Sequence, residues 1–314
     1  AISIVERVRA DDATEAQGPA NELLDLVLRR SDQQIEPCEA VRSVLAQRFN
    51  SLFKIDGDRA IVTARSIFPV DRATYEARRA LWEAFLRWNP VAGVVFAALR
   101  AHYEVAVDAA ASAGPDAAEN LGHHLLRLAV HGAIPPDDPI LANYIAHATS
   151  DARQKVLSDF GRAMHREKEA LPEDLVQTIK RVWDEWARVS TQTNDPSDLA
   201  AFGWWFTSSS FDAEWLLATL QATLRATSGG LEWDHDVAER LATHVAAHPG
   251  AVLECLSLFV EGGNEFRVTR SRDGIRNTLL ALRGGPMAGE AATLASRLAA
   301  RGWIEFRDLA AAIA

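Results

Sequence analysis

The chain has 314 residues, 48% apolar and 24% charged, ordinary proportions for a chain that buries a core. A formal net charge of −10 argues against a general nucleic-acid or anionic-membrane surface, which needs a basic face to neutralise phosphate. Cys38 and Cys255 lie far apart and form no CxxC pair, so they suggest neither a disulfide framework nor a thiolate zinc site, but free thiols in a reducing compartment.

Residues 1–18 are polar and aperiodic up to Gly18-Pro19 and read as a linker. The remainder, 19–314, reads as one helical array, with a soft division placed near 166–172. Leu23, Leu24, Leu26, Val27 and Leu28 make a short apolar helix. After Pro37, the positions Val41, Val44, Leu45, Phe49, Leu52 and Phe53 keep helical spacing. Asp56-Gly57-Asp58 is a turn, and Asp71 can cap a helix carrying Tyr75, Leu81, Trp82, Phe85, Leu86 and Trp88. Val91 to about Ala113 reads as a long helix, stopped by Gly114-Pro115. Leu121, Leu125, Leu128 and Ala129 share one face of the next, which stops near Gly132.

Asp138-Pro139 is a cap followed by a first-turn proline. Further helices carry Val156, Leu157, Phe160 and Met164, then Leu175, Ile179, Val182, Trp183, Trp186 and Val189. Asp195-Pro196, Ser210-Phe211-Asp212 and Gly229-Gly230 punctuate the next stretch of chain. Asp234 is expected to cap Val237–Ala247, and Gly262-Gly263 to end the helix through Val252–Val260. Glu265–Thr269 reads as a short extended piece, before helices at about 274–283 and 288–301 and a terminal one from about 305.

No strand-like alternation of any length occurs, nor a hairpin signal. Helices of 10 to 20 residues with short links predict an all-α fold, and units of roughly 35 to 45 residues match the scale of HEAT and armadillo repeats. One echo joins Leu121–Leu128 to Leu294–Leu298, each running into a glycine, Gly132 or Gly302. An irregular α-solenoid of stacked helical hairpins is therefore expected, with an orthogonal helical bundle as the alternative. No apolar run approaches the roughly 20 residues of a membrane span. Glu6, Arg7, Arg9, Asp11 and Asp12 interrupt any signal peptide, so the expected location is cytoplasmic. A chain that does not begin with Met is expected to be processed or a piece of a longer one.

The chemistry-bearing residues have structural readings close at hand. His244 and His248 share a helix face and have His235 and Asp236 nearby, a weak metal candidate, but the HExxH arrangement is absent. His123, His124 and His131 lie on or beside one helix. Asp137-Asp138, Glu173-Asp174 and Asp234/Asp236 fall at helix starts, where capping accounts for them. Ser208-Ser209-Ser210 has no His and Asp assigned to it, and the glycine pairs do not form a nucleotide-binding loop.

Two stretches remain as partner-binding candidates. Phe202-Gly203-Trp204-Trp205-Phe206 places adjacent tryptophans about 100° apart on a helix, so one of Trp204 and Trp205 can face outward while the other packs. Arg267, Arg270, Arg272 and Arg276 form a basic strip continued by Arg283, Arg297, Arg301 and Arg307, against four acids between Phe266 and Asp308. Such a strip is either a solvated, salt-bridged face or a site for an anionic partner.

In their order, Ser51–Asp56, Ala80–Leu86, Leu121–Leu125, Phe202–Phe206 and Leu298–Trp303 resemble the helical C-terminal region of large bacterial multidomain proteins. In those an N-terminal effector or NTPase module, sirtuin-like or STAND-type and often in anti-phage defence, precedes a long helical array. The resemblance implies sensing, scaffolding or oligomer contacts and brings no catalytic residues with it. The expected function is a non-enzymatic helical scaffold that binds a protein partner or positions an adjoining domain, without cofactor or membrane contact. Nucleic-acid binding through the arginine strip, and a helical metal-dependent enzyme using His235, His244 and His248, are the alternatives.

Overall fold

The computed structural model describes residues 17–167, 169–262 and 265–310, which are helical throughout and contain no strand. Residues up to Ala152, with Thr178–Trp186, form one compact unit, and Arg153–Gln177, with the residues from Ala187 onward, form a second. The stretch 166–172, where a soft division was expected, lies inside the second unit. The expected linker 1–18 falls outside the described residues up to position 16, and Gln17 already opens a helix. Among the described residues no helix is long and apolar enough to cross a membrane.

The first unit holds α1 (Gln17–Arg29), α2 (Glu39–Gln47), α3 (Phe49–Ile55), α4 (Gly57–Ile67), α5 (Arg72–Trp88), α6 (Gly93–Asp108), α7 (Pro115–Val130) and α8 (Pro139–His147). Local chemistry sets the starts. The Asp56 side chain accepts from Arg59 N–H ahead of α4, Asp71 and Thr74 form a reciprocal capping box ahead of α5, and Asp138 accepts from Ile140 N–H ahead of α8. The expected single helix through Val41 and Phe53 is broken at Arg48, whose backbone leaves the helical region. That break turns Phe49 and Leu52 inward and leaves Val41 and Val44 exposed. Phe49, Phe68 and Phe85 meet at centroid distances of 5.0 to 5.7 Å, and Trp82 sets its ring edge-on to Tyr103 at 5.0 Å. Beside them the Tyr103 hydroxyl and His124 Nδ1 lie 2.8 Å apart.

Helices α9 (Ser150–Arg166) and α10 (Glu173–Ser190) come next. The second unit continues with α11 (Phe202–Phe206), α12 (Ala213–Ala226), α13 (Asp234–His244), α14 (Pro249–Gly262), α15 (Glu265–Arg270), α16 (Arg272–Arg283), α17 (Ala288–Ala300) and α18 (Arg307–Ala310), with a 3₁₀ turn at Ile304–Phe306 before the last. The segment expected to be extended, Glu265–Thr269, is thus the short helix α15. A buried ion pair, Arg153 to Asp198 at 3.1 Å, also takes the Ser190 hydroxyl at 2.6 Å and fixes the turn that leads into α11. Helices α13 and α16 approach closely because position 274 is glycine, where a Cβ would fall 2.5 Å from Glu239 N.

Two helices, one in each unit, end alike. After α7, Gly132 has φ +69°, Ala133 N–H donates to Leu128 O at 2.8 Å and Gly132 N–H to Ala129 O at 3.1 Å. After α17, Gly302 has φ +106°, Trp303 N–H donates to Leu298 O and Gly302 N–H to Ala299 O, both at 3.2 Å. Both are left-handed glycine caps that satisfy the last carbonyls of the helix, and they account for the echo in the sequence.

Candidate recognition surface

The aromatic run is built around a close backbone approach. A Cβ at Gly203 would lie 1.7 Å from Glu232 O, so only glycine lets α11 sit on the 231–233 loop. Glu232 N–H donates to Ala200 O at 2.8 Å, and the Glu232 carboxylate accepts from Gln154 Nε2, Ser158 Oγ and Trp204 Nε1, each at 2.7 Å. The next residue, Trp233, takes the left-handed region at φ +56°, rare for a bulky side chain. In that conformation its ring stacks on Trp204 at 4.0 Å and 22°. The Arg162 guanidinium sits over Trp204 as well, 4.8 Å from the centroid.

These contacts show how the two tryptophans are held. Trp205 is fully buried and its Nε1–H donates to Leu157 O at 2.9 Å. Trp204 is half-buried, with its ring committed to Trp233 and Arg162 and its indole N–H to Glu232. Both indoles make their polar contacts inside the second unit.

The arginine strip divides. Arg270 and Arg267 converge on the buried Asp234, and Arg267 also donates to Gly229 O. Asp234, expected as a cap, instead occupies the first turn of α13 and binds these two guanidinium groups. Arg297 pairs with Glu261, and Arg301 donates to Val260 O at 2.9 Å. So Arg267, Arg270, Arg297 and Arg301 hold elements of the unit together.

Arg272 and Arg276 face elsewhere. With Arg307 and Ile304 they line an open hollow of about 650 Å³ between α16 and the start of α18, which Asp273, Glu305 and Asp308 complete. Arg276 donates to Glu305 O at 2.7 Å and grips the Asp308 carboxylate with both terminal nitrogens, which holds that carboxyl below its ordinary range. Arg272 is half-exposed and lies 3.5 Å from Asp273. Ile304 is 62% exposed, and Leu280, one turn on from Arg276 along the same face of α16, is 47% exposed. Sequence reasoning put Arg272, Arg276 and Arg307 in one strip but did not single out Ile304.

The histidines do not assemble. His235 Nε2 faces Asp236 Oδ2 at 2.9 Å, and His244 lies edge-on to Phe206 at 5.7 Å with burial holding its pKa below the ordinary value. Among the described residues no three His, Cys, Asp or Glu side chains converge as a metal site requires, so His235, His244 and His248 are not brought together as ligands. Cys38 is exposed and Cys255 buried, both free, with the Cys255 thiol pushed up to about 12 by burial. Comparisons of the chain with protein-family models, with curated proteins and with solved structures found no match.

Proposed function

We propose that the chain is a helical recognition module, an irregular α-solenoid of stacked hairpins rather than an orthogonal bundle, that binds a protein surface without itself carrying out chemistry. The observation that carries the reading is the open hollow between α16 and α18, where the exposed Ile304 is framed by arginines and carboxylates. An apolar anchor inside a charged rim is the composition of a protein-recognition patch. Nucleic acid is the weaker fit, because Arg267, Arg270 and Arg276 already hold carboxylates, whereas phosphate binding needs unpaired cations. The recurrence of one helix-ending turn in both units supports the repeat-like architecture. The resemblance to helical regions of bacterial defence proteins supports a scaffolding role inside a larger assembly.

The test is in-cell crosslinking read by mass spectrometry, comparing wild type with Ile304→Asp and with Arg272→Glu/Arg307→Glu, and using Val62→Asp on the first unit as the control. Crosslinks to protein concentrated on α16 and α18, lost in the first two variants and kept in the control, are expected. Crosslinks that bypass these helices, or that the substitutions leave unchanged, overturn the reading.

A further inference from the structure

The segment Arg127-Leu128-Ala129-Val130-His131-Gly132-Ala133-Ile134 reappears as Arg297-Leu298-Ala299-Ala300-Arg301-Gly302-Trp303-Ile304, the same residue at five of eight positions. The likeness extends beyond the shared glycine cap. Four residues past each isoleucine stands an aspartate, Asp138 or Asp308. Each is gripped by two nitrogens of one arginine from the helix before the capped one, Arg100 of α6 or Arg276 of α16. One three-part construction of helix, capped helix and aspartate-led segment therefore occurs once in each unit.

The two copies differ in what covers them. In the first unit Ile134 is 2% exposed and the Asp138 side chain 7%, and α8, which Asp138 caps, lies against α6. In the second, Ile304 is 62% exposed and the Asp308 side chain 57%, and the open hollow lies over them. A repeated helical unit buries its apolar face against a neighbour, and the second copy presents that face to solvent.

We infer that this face is an interface between two copies of the chain, related by a two-fold axis and centred on Ile304. The proposal rests on the reading of the hollow as a protein-recognition surface and names the partner. The charges select it. Three arginines and three carboxylates line the hollow, so it is balanced in sign. An acidic or nucleic-acid partner fits an excess of arginine, and a basic partner an excess of carboxylate. A balanced rim around an apolar centre is self-complementary, because a two-fold axis sets each residue of one copy against the other copy's patch. Arg276 and Asp308 are committed to each other; Arg272, which within one copy lies 3.5 Å from Asp273, and Arg307 face the other copy's Asp273 and Glu305 across the axis, with Ile304 burying its side chain between them.

Sedimentation velocity of the full chain, over a concentration series and at low and high salt, tests it. Wild type forms a dimer that weakens with salt. Ile304→Asp weakens it by roughly tenfold to a hundredfold, the worth of one buried aliphatic side chain. Arg272→Glu/Arg307→Glu and Asp273→Arg/Glu305→Arg are each monomeric alone and associate when mixed, with unchanged helical circular dichroism. A wild type that stays monomeric at the highest concentration overturns the proposal, as does a dimer indifferent to these substitutions or variants that fail to associate on mixing. Protein crosslinks at Ile304 from a chain that is monomeric when purified would keep the recognition reading and remove self-association.

Discussion

Gly203→Ala probes the seat on which the Trp204–Trp233 stack depends. The new Cβ falls 1.7 Å from Glu232 O and 2.8 Å from Glu232 C, against an ordinary contact of 3.4 Å or more. Both obstacles are main-chain atoms, so no rotamer change relieves them, and α11 must part from the 231–233 loop by more than about 1.5 Å. That movement stretches the 2.8 Å bond from Glu232 N–H to Ala200 O and draws the Glu232 carboxylate away from Trp204 and Ser158. Overpacking of this kind costs ~1–3 kcal/mol, and a stranded polar group adds ~1–3 more, so a loss of about 2–6 kcal/mol is expected. Urea unfolding followed by tryptophan fluorescence measures it. Gly289→Ala is the control, since nothing lies within 4 Å of a Cβ there in α17 and alanine gains about 0.5–1 kcal/mol in a helix. A Gly203→Ala protein within about 0.5 kcal/mol of wild type would refute the close seating.

Three further outcomes concern buried and strained positions. Burial pulls the His124 imidazole from 6.5 down to about 4, so the unfolded chain takes a proton that the folded one refuses; stability is full above pH 6.5 and falls by about 3 kcal/mol as pH drops toward 4. His124→Gln should flatten that part of a plot of urea midpoint against pH, and an unaltered slope would exclude His124 as its source. Asp198→Ala removes the carboxylate that balances the buried charge of Arg153, whose side chain is 4% exposed and keeps its bond to Asp195 O, and should cost about 3–5 kcal/mol in chemical unfolding; a loss under about 1 kcal/mol would mean that the pair is hydrated. Gly302→Ala, at φ +106°, and Gly132→Ala, at φ +69°, should each lose roughly 1–2 kcal/mol in thermal melts, and neutral values would disprove the left-handed caps.

Caps at Asp71 and Asp138 were legible because side chain and backbone partner lie within three residues of each other. The helical period likewise announced the buried Leu121, Leu125, Ile179 and Trp183. What the period could not show was contact at long range. Nothing local marks Arg48 as a break; it arises from seating Phe49 against Phe68 and Phe85. Asp234 has the sequence signature of a cap, yet Arg270, 36 residues away, takes its carboxylate. Trp233 offsets the strain of a left-handed backbone by stacking on a ring 29 positions earlier, a distance no window of periodicity spans. The same limit applies to charge: the strip was visible as eight arginines, but which of them were committed to Asp234, Glu261 or backbone carbonyls depends on the folded neighbours.

The repeated turn carries this one step further. Ile134 and Ile304 occupy the same place in the same motif, held by the same glycine cap and followed by the same arginine-gripped aspartate, so local chemistry predicts one fate for both. Their exposures of 2% and 62% are set instead by whether a neighbouring helix covers the motif. A buried copy contributes apolar area to its own unit, whereas an exposed copy keeps that area in water until something arrives to cover it. The first use is structural and leaves nothing to recognise. The second keeps that surface ready-formed on its helices, so covering it with a second copy, as proposed, would cost little conformational entropy. If the proposed association holds, substitutions at Ile134 and Ile304 should separate accordingly, the first acting on stability and the second on association.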